Sequence, residues 1–378
     1  PRYLHALNFC MLLPGPEAMQ LATYAGWLLH GVRGGLMAGL LFVLPGALVV
    51  LTLSVLYALL GDVALVEALF LGVKAAVLVI VVEALIKIAR RALTGRASLA
   101  LAAGAFLAIT AFAVPFPVIV LAALLIGALR SRGEAAPSTE PAEAPASLAE
   151  TLRTALLWLA VWLVPLVLLA LVLGPDHILA RVALLFSVLA VVSFGGAYAA
   201  LAWLAQAAVE EEGWLSAGQM LDGLGLAETT PGPLVLVMEF VGFLAGYGAG
   251  GIAMGVAAAF VTLWATFAPC FLWVFVGAPH VERLRHAPLF AGAIRGVTAA
   301  VVGVIAYLGL WFGLRVLFAD VVEWRVGPLA LDLPVLAALD WRAALIALLS
   351  GLLLLRWKVG VAKVLGIAAL MGLALGAL

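Results

Sequence analysis

Charge is scarce in this sequence. Lysine and arginine together number 20 and aspartate and glutamate 20, so 11% of the 378 residues are charged, against about 25% in a soluble domain. So thin a supply cannot solvate a surface of this size. An ordinary soluble enzyme, a disordered chain and a nucleic-acid binder with a basic face are excluded together. Cysteine is nearly absent: Cys10 and Cys270 cannot build a disulfide framework, and neither stands in a metal-ligand spacing. The five histidines are scattered singly. Gly-Lys never occurs, which removes a Walker A loop, and neither HExxH nor GxSxG is present. No metal, no cofactor and no enzymatic constellation is therefore expected. An energy source, if one is needed, must be an ion or voltage gradient.

What is plentiful is apolar sequence, 66% of the chain before its 39 glycines. Runs long enough for a bilayer core fall at 14–31, 35–60, 66–88, 154–174, 178–209, 231–247, 250–278, 288–317 and 359–378. Shorter runs at 98–113 and 115–129 read as a hairpin turning near Pro115 and Pro117, and 342–355 is also short. In lipid such runs must be helices, because only a helix satisfies its own backbone. The fold class is thus an all-α polytopic membrane protein embedded in a lipid bilayer. Residues 131–153, rich in Ala, Pro, Glu and Ser, read as a flexible, water-exposed linker between membrane domains 1–130 and 154–378.

The halves resemble each other. Pro14-Gly15-Pro16 returns as Pro231-Gly232-Pro233, an offset of 217, and Gly34-Gly35 with Gly39 returns as Gly250-Gly251 with Gly255, an offset of 216. Gly72-Val73-Lys74-Ala75-Ala76-Val77 returns as Gly296-Val297-Thr298-Ala299-Ala300-Val301 at 224, an offset shared by Pro45 and Pro269. Basic residues then suggest opposite orientations, since they mark the cytoplasmic side. Lys87, Arg90, Arg91 and Arg96 follow the first of these helices, whereas Arg283 and Arg285 precede the second. The expectation is two homologous halves in inverted topology with broken helices. The linker 131–150, loops 87–96 and 281–286 and the turn Arg356–Lys358 would be cytoplasmic. The loops around Asp62 and Asp320–Asp332 would be outside. Gly34, Gly35, Gly250 and Gly251 suit close helix packing, within one chain or across a homodimer.

Two prolines around a glycine should break a helix, and Ser193-Phe194-Gly195-Gly196 interrupts the run 178–209 in a similar way. One reading is a kink or close packing. The other is a half-helix that starts at membrane depth and points free N–H groups at an anion. On the second reading the binding residues are Pro14, Gly15, Pro16, Ser193, Gly195, Gly196, Thr229, Thr230, Pro231, Gly232 and Pro233. Lys74 joins them as a cation within an apolar helix. Glu17 and Glu239 each follow a broken element; they are either helix-start acids or proton carriers.

These strings are also distinctive. Leu7-Asn8-Phe9-Cys10-Met11-Leu12-Leu13-Pro14-Gly15-Pro16-Glu17-Ala18, continuing to Gly26-Trp27-Leu28-Leu29-His30-Gly31, resembles the first signature of the chromate ion transporter family. Ser193-Phe194-Gly195-Gly196-Ala197-Tyr198 through Gly213-Trp214-Leu215-Ser216 to Thr229-Thr230-Pro231-Gly232-Pro233 resembles its C-terminal signature, as in the long-chain, two-domain type. The resemblance implies a multi-pass protein of the bacterial cytoplasmic (inner) membrane that exports chromate, a dianion shaped like sulfate, and confers resistance to it. Alternatives are a carrier of sulfate or another tetrahedral oxyanion, or a non-transporting membrane scaffold. The offset of 217 maps Pro1 onto Gly218, so a longer first half carrying a counterpart of Ser193–Ala217 is expected.

Overall fold

A computed structural model describes residues 10, 13–61, 63–132, 147–194, 197–230, 232–280, 288–327 and 329–376. Readings that fall on Asp62, Gly195, Gly196, Pro231, most of the linker (133–146) and the loop 281–287 lie outside the described residues. In chain order the helices are α1 (Glu17–Leu60), α2 (Ala64–Ala92), α3 (Arg96–Phe112), α4 (Phe116–Arg130), α5 (Leu148–Leu173), α6 (Ile178–Val192) and α7 (Ala197–Ala205). Then come α8 (Ala217–Thr229), α9 (Val237–Gly277), α10 (Pro288–Leu317), α11 (Trp341–Gly351) and α12 (Val361–Gly376). Five helical stretches (α1, α2, α5, α10 and Leu234–His280, which contains α9) are long and apolar enough to cross a bilayer. With so little charge elsewhere, this is a multi-pass membrane protein.

Neither α1 nor α9 is a single rod. At 1.5 Å per residue, the 44 residues of α1 would run about 66 Å, roughly twice a bilayer core. Helical dihedrals fail instead at His30–Gly31 in α1 and at Gly250–Gly251 in α9. Gly31 (φ 61°, ψ −152°) and Gly251 (φ 72°, ψ −165°) occupy a backbone region essentially reserved for glycine. Each chain then doubles back. A Cβ on Gly26 would strike the carbonyl oxygen of Gly34, and one on Gly246 that of Met254. Eight residues along an unbroken helix lie about 12 Å apart, so these contacts require a hairpin.

The breaks also correct the repeat. The sequence offset of 216 pairs Gly34–Gly35 with Gly250–Gly251, but the structural equivalents are His30–Gly31 and Gly250–Gly251, 220 residues apart. The three residues gained since the Pro-Gly-Pro offset of 217 match the single 3₁₀ turn Leu234–Leu236, which precedes α9 whereas α1 starts directly after Pro16.

Two compact units form, each drawing on both sequence halves. The first comprises Pro1–Leu51, Val120–Ala200 and Pro231–Thr298. Here α9 packs on α5 and α6, Trp158 stacks on Phe271 and meets Phe275 at a tilt, and Gly296 lies against the carbonyl of Ala123. The second comprises Thr52–Ile119, Leu201–Thr230 and Ala299–Leu378, with α2 packed on α8, α11 and α12. Gly72 lies against the carbonyl of Ala368 just as its sequence counterpart Gly296 lies against Ala123. That match pairs α4 with α12.

Because Gly72 leaves no room for a side chain, Gly72→Val should force α2 and α12 apart. The expected cost is about 1–3 kcal/mol, seen as a lower thermal midpoint of the purified protein in detergent. Gly104→Ala, which meets nothing within 4 Å, should not lower it.

One feature is not helical. Strands β1 (Val321–Val326) and β2 (Leu329–Pro334) form an antiparallel hairpin in the stretch expected to be an outside loop. Glu323 stands opposite Asp332, a like-charge pairing that would repel. Each acid has its own cation: Arg325 Nε lies 2.6 Å from Glu323, and Arg315 Nη1 lies 2.9 Å from Asp332. Arg315 also stacks on Trp311, whose Nε1 donates to Glu210. Glu210 is thus held by Trp311 and, at 3.7 Å, by Arg315. Burial raises its carboxyl, against the pull of Trp311 and Arg315.

Candidate anion-binding site

The first broken element is shaped by Gly15. Its φ of 104° is left-handed, a conformation glycine adopts without strain. Its N–H donates to the backbone carbonyl of Ser193 at 2.9 Å, and the Gln20 side chain donates to the carbonyl of Pro14 at 2.6 Å. These bonds tie the non-helical segment down, so α1 starts at Glu17. The first N–H groups of α1 then have no intrahelical acceptor. The second element shares the left-handed glycine, Gly232 at φ 140°, but leads into α9 through the 3₁₀ turn Leu234–Leu236, whose Leu234 and Val235 carbonyls accept from the Val237 N–H.

The two elements pack reciprocally within the first unit. A Cβ on Gly15 would meet Cys270 Sγ, the residue after Pro269; a Cβ on Gly232 would meet Gly46 Cα, the residue after Pro45. Each break therefore rests beside the proline-bearing arm of the other half. Between them lies a cavity of about 10 Å³ lined by Gly15, Pro16, Ser193, Val235, Met238 and Thr266, among others. That is room for about one water. Depth follows from length. The arms 17–29 and 237–249 are thirteen residues each, so each reaches about 20 Å. A hairpin tip at the membrane surface would put both breaks well inside a core about 30 Å thick.

Not every candidate residue from the sequence gathers here. Gly15, Pro16 and Ser193 line the cavity, together with the turn after Gly232–Pro233. Thr229 and Thr230 direct their hydroxyl protons to the carbonyl of Leu226, at 2.9 and 2.7 Å, and so finish α8. Lys74 belongs to the second unit, where its Nζ lies 3.2 Å from Asp222 Oδ1, a partner the sequence reading missed. Thr266, buried on α9, was missed as well. Glu17 is half-buried at the start of α1. Glu239 is 1% exposed, and neither of its carboxylate oxygens has a hydrogen-bond partner among the described residues. By the offset of 220, Glu239 matches Met19 and Glu17 matches Val237, so the two acids are not equivalent.

The chain is similar to proteins of one family. A family model described as Chromate transporter matches residues 1–128 and 180–373. A chromate transport protein of Pseudomonas aeruginosa is 32% identical over 343 residues, 89% of this chain and 76% of that one. One from Cupriavidus metallidurans is 27% identical over 310 residues, covering 80% and 70%. An uncharacterized transporter of Methanocaldococcus jannaschii is 23% identical over 324 residues, covering 85% and 76%. No solved structure matches the chain.

Proposed function

Because the chain belongs to the chromate transporter family, we propose that it is a secondary transporter that exports chromate across the bacterial cytoplasmic membrane and so confers resistance. The observation that carries this reading is the meeting of two helix starts, each behind a glycine break, at one small cavity whose mostly apolar lining carries the hydroxyls of Ser193 and Thr266. A dianion leaving water loses a large hydration energy and needs several oriented donors in return. N–H groups at the start of α1, and at the start of the 3₁₀ turn Leu234–Leu236 that leads into α9, supply partial positive charge there, and Ser193 and Thr266 add hydroxyls. Gly195, Gly196 and Pro231 complete the same elements in sequence. Donors of this kind suit a carrier, because fixed guanidinium charges would hold a dianion too tightly to release it.

A cavity of about 10 Å³ is closed to a tetrahedral oxyanion, so the site must open on each side in turn. An inverted pseudo-two-fold relation of the halves would supply that alternation, and the reciprocal packing of Gly15 and Gly232 supports it. Sulfate or another tetrahedral oxyanion is the second reading, since it shares the charge and shape the cavity would recognise. Inverted membrane vesicles bearing the protein should take up labelled chromate faster than vesicles without it. Uptake resisting excess sulfate supports the first reading; sulfate uptake without chromate uptake supports the second; neither would overturn both.

Glu17 and Glu239 remain candidates for proton coupling. If either carries the proton, its Gln variant should transport more slowly and lose pH dependence, because an amide cannot titrate. Parental rates and pH profiles in both variants would leave these two acids as helix-start groups.

A further inference from the structure

A second ionisable cluster lies in the second unit. Lys74 on α2 pairs with Asp222 on α8 at 3.2 Å, and the Tyr57 hydroxyl donates to the other carboxylate oxygen at 2.8 Å. The pair is lopsided. The Lys74 side chain is 28% exposed, whereas that of Asp222 is 6% exposed. Gly225, one turn along α8, leaves no space for a Cβ against Val73, so α8 is seated too closely on α2 for Asp222 to reach water. Of the other charged groups on the helices packed against α8, Glu67, Lys87, Arg90, Arg91 and Lys363 are exposed, and Glu83 pairs with Lys87 at 2.6 Å. Lys74 and Tyr57 are the side chains that act on the carboxylate.

This geometry makes Lys74 movement costly unless a proton moves too. The ammonium can swing toward water, but the carboxylate cannot follow, and a buried charge stripped of its partner is strongly unfavourable. A proton on Asp222 removes that penalty. The Tyr57 hydroxyl can then rotate, accepting from the neutral carboxyl where it donated to the charged one. We propose that Asp222, with Lys74 and Tyr57, is a proton-binding site that couples proton uptake to release of Lys74 during transport. One proton adds to one carboxylate oxygen, and the cluster passes from net zero to net +1. That is the sign needed while a dianion is being carried. The coupling role rests on the transport reading; the proton site itself does not.

Two measurements on the purified full chain test them separately. In detergent, infrared difference spectra between alkaline and acidic pH should contain a protonated-carboxyl band, part of which disappears in Asp222→Asn. Tyr57→Phe should move that part toward higher pH, because the lost hydrogen bond favours the charged form. In liposomes with a trapped pH dye, chromate movement by the parent should carry protons. Asp222→Asn and the double variant Lys74→Met/Asp222→Leu should carry at least tenfold fewer protons per chromate. The double variant, with no unpaired buried charge, also serves should Asp222→Asn fail to insert. An unchanged carboxyl band in Asp222→Asn, or unchanged proton movement in the double variant, would overturn the inference. A lost band together with a parent that moves no chromate would overturn the transport reading and uphold the proton site.

Discussion

Gly15→Val and Gly232→Val should each abolish chromate movement while leaving the protein inserted in the membrane. Both glycines have left-handed φ, 104° and 140°, where a β-branched residue is strained whatever space it finds. Space is short as well. A Cβ at Gly15 would lie 3.1 Å from Gln20 Nε2 and 3.2 Å from Cys270 Sγ, and one at Gly232 would lie 3.0 Å from Leu236 Cδ1. Relief requires turning the Gly15 N–H away from Ser193 or pushing the break off the opposite arm. Either displaces the helix start by a fraction of an ångström or more, which is enough to misplace donors on a small anion. The apolar arms that decide insertion are untouched. Vesicle uptake normalised to membrane content of the variant checks this; parental uptake by both variants would mean the breaks do not form the site.

The hairpin tips should be nearly as sensitive, for a purer reason. Nothing lies within 4 Å of a Cβ built on Gly31 or Gly251, so an alanine there meets no clash. Its whole penalty is conformational, about 1–3 kcal/mol for each site held in that backbone region. Gly31→Ala and Gly251→Ala should each lower the thermal midpoint in detergent, and the double variant should lower it further. Gly248→Ala, also in open space but inside the helical arm, should leave stability the same or higher. Equal stability of all three single variants would mean that α1 and α9 do not turn at these glycines.

Much of this was legible in the sequence because membrane helices announce themselves by length and proline by its missing amide. The starts of α1 and α9 follow the Pro-Gly-Pro elements, and the short runs 98–113 and 115–129 became α3 and α4, turning at Ala113 with left-handed φ. Other features were hidden for physical reasons. Gly34–Gly35 looked like the partner of Gly250–Gly251 because Gly-Gly is conspicuous, yet the chain breaks at His30–Gly31, where one glycine with the right dihedrals suffices. The β-hairpin is hidden among apolar runs because it is short and charged, although Val-Glu-Trp-Arg-Val at 322–326 alternates as a strand should. Asp222 was overlooked for a different reason. A lone acid in Met-Leu-Asp-Gly-Leu-Gly carries no local sign of a lysine 148 positions earlier. Only tertiary contact reveals that pairing.

The central claim is that the paired breaks bind the oxyanion, and equilibrium binding of labelled chromate to the purified protein tests it most directly, because it needs neither a gradient nor a driving force. The parent should bind chromate saturably, with sulfate competing, and Gly15→Val and Gly232→Val should bind at least tenfold more weakly while remaining folded. Undiminished affinity in both folded variants would contradict the account.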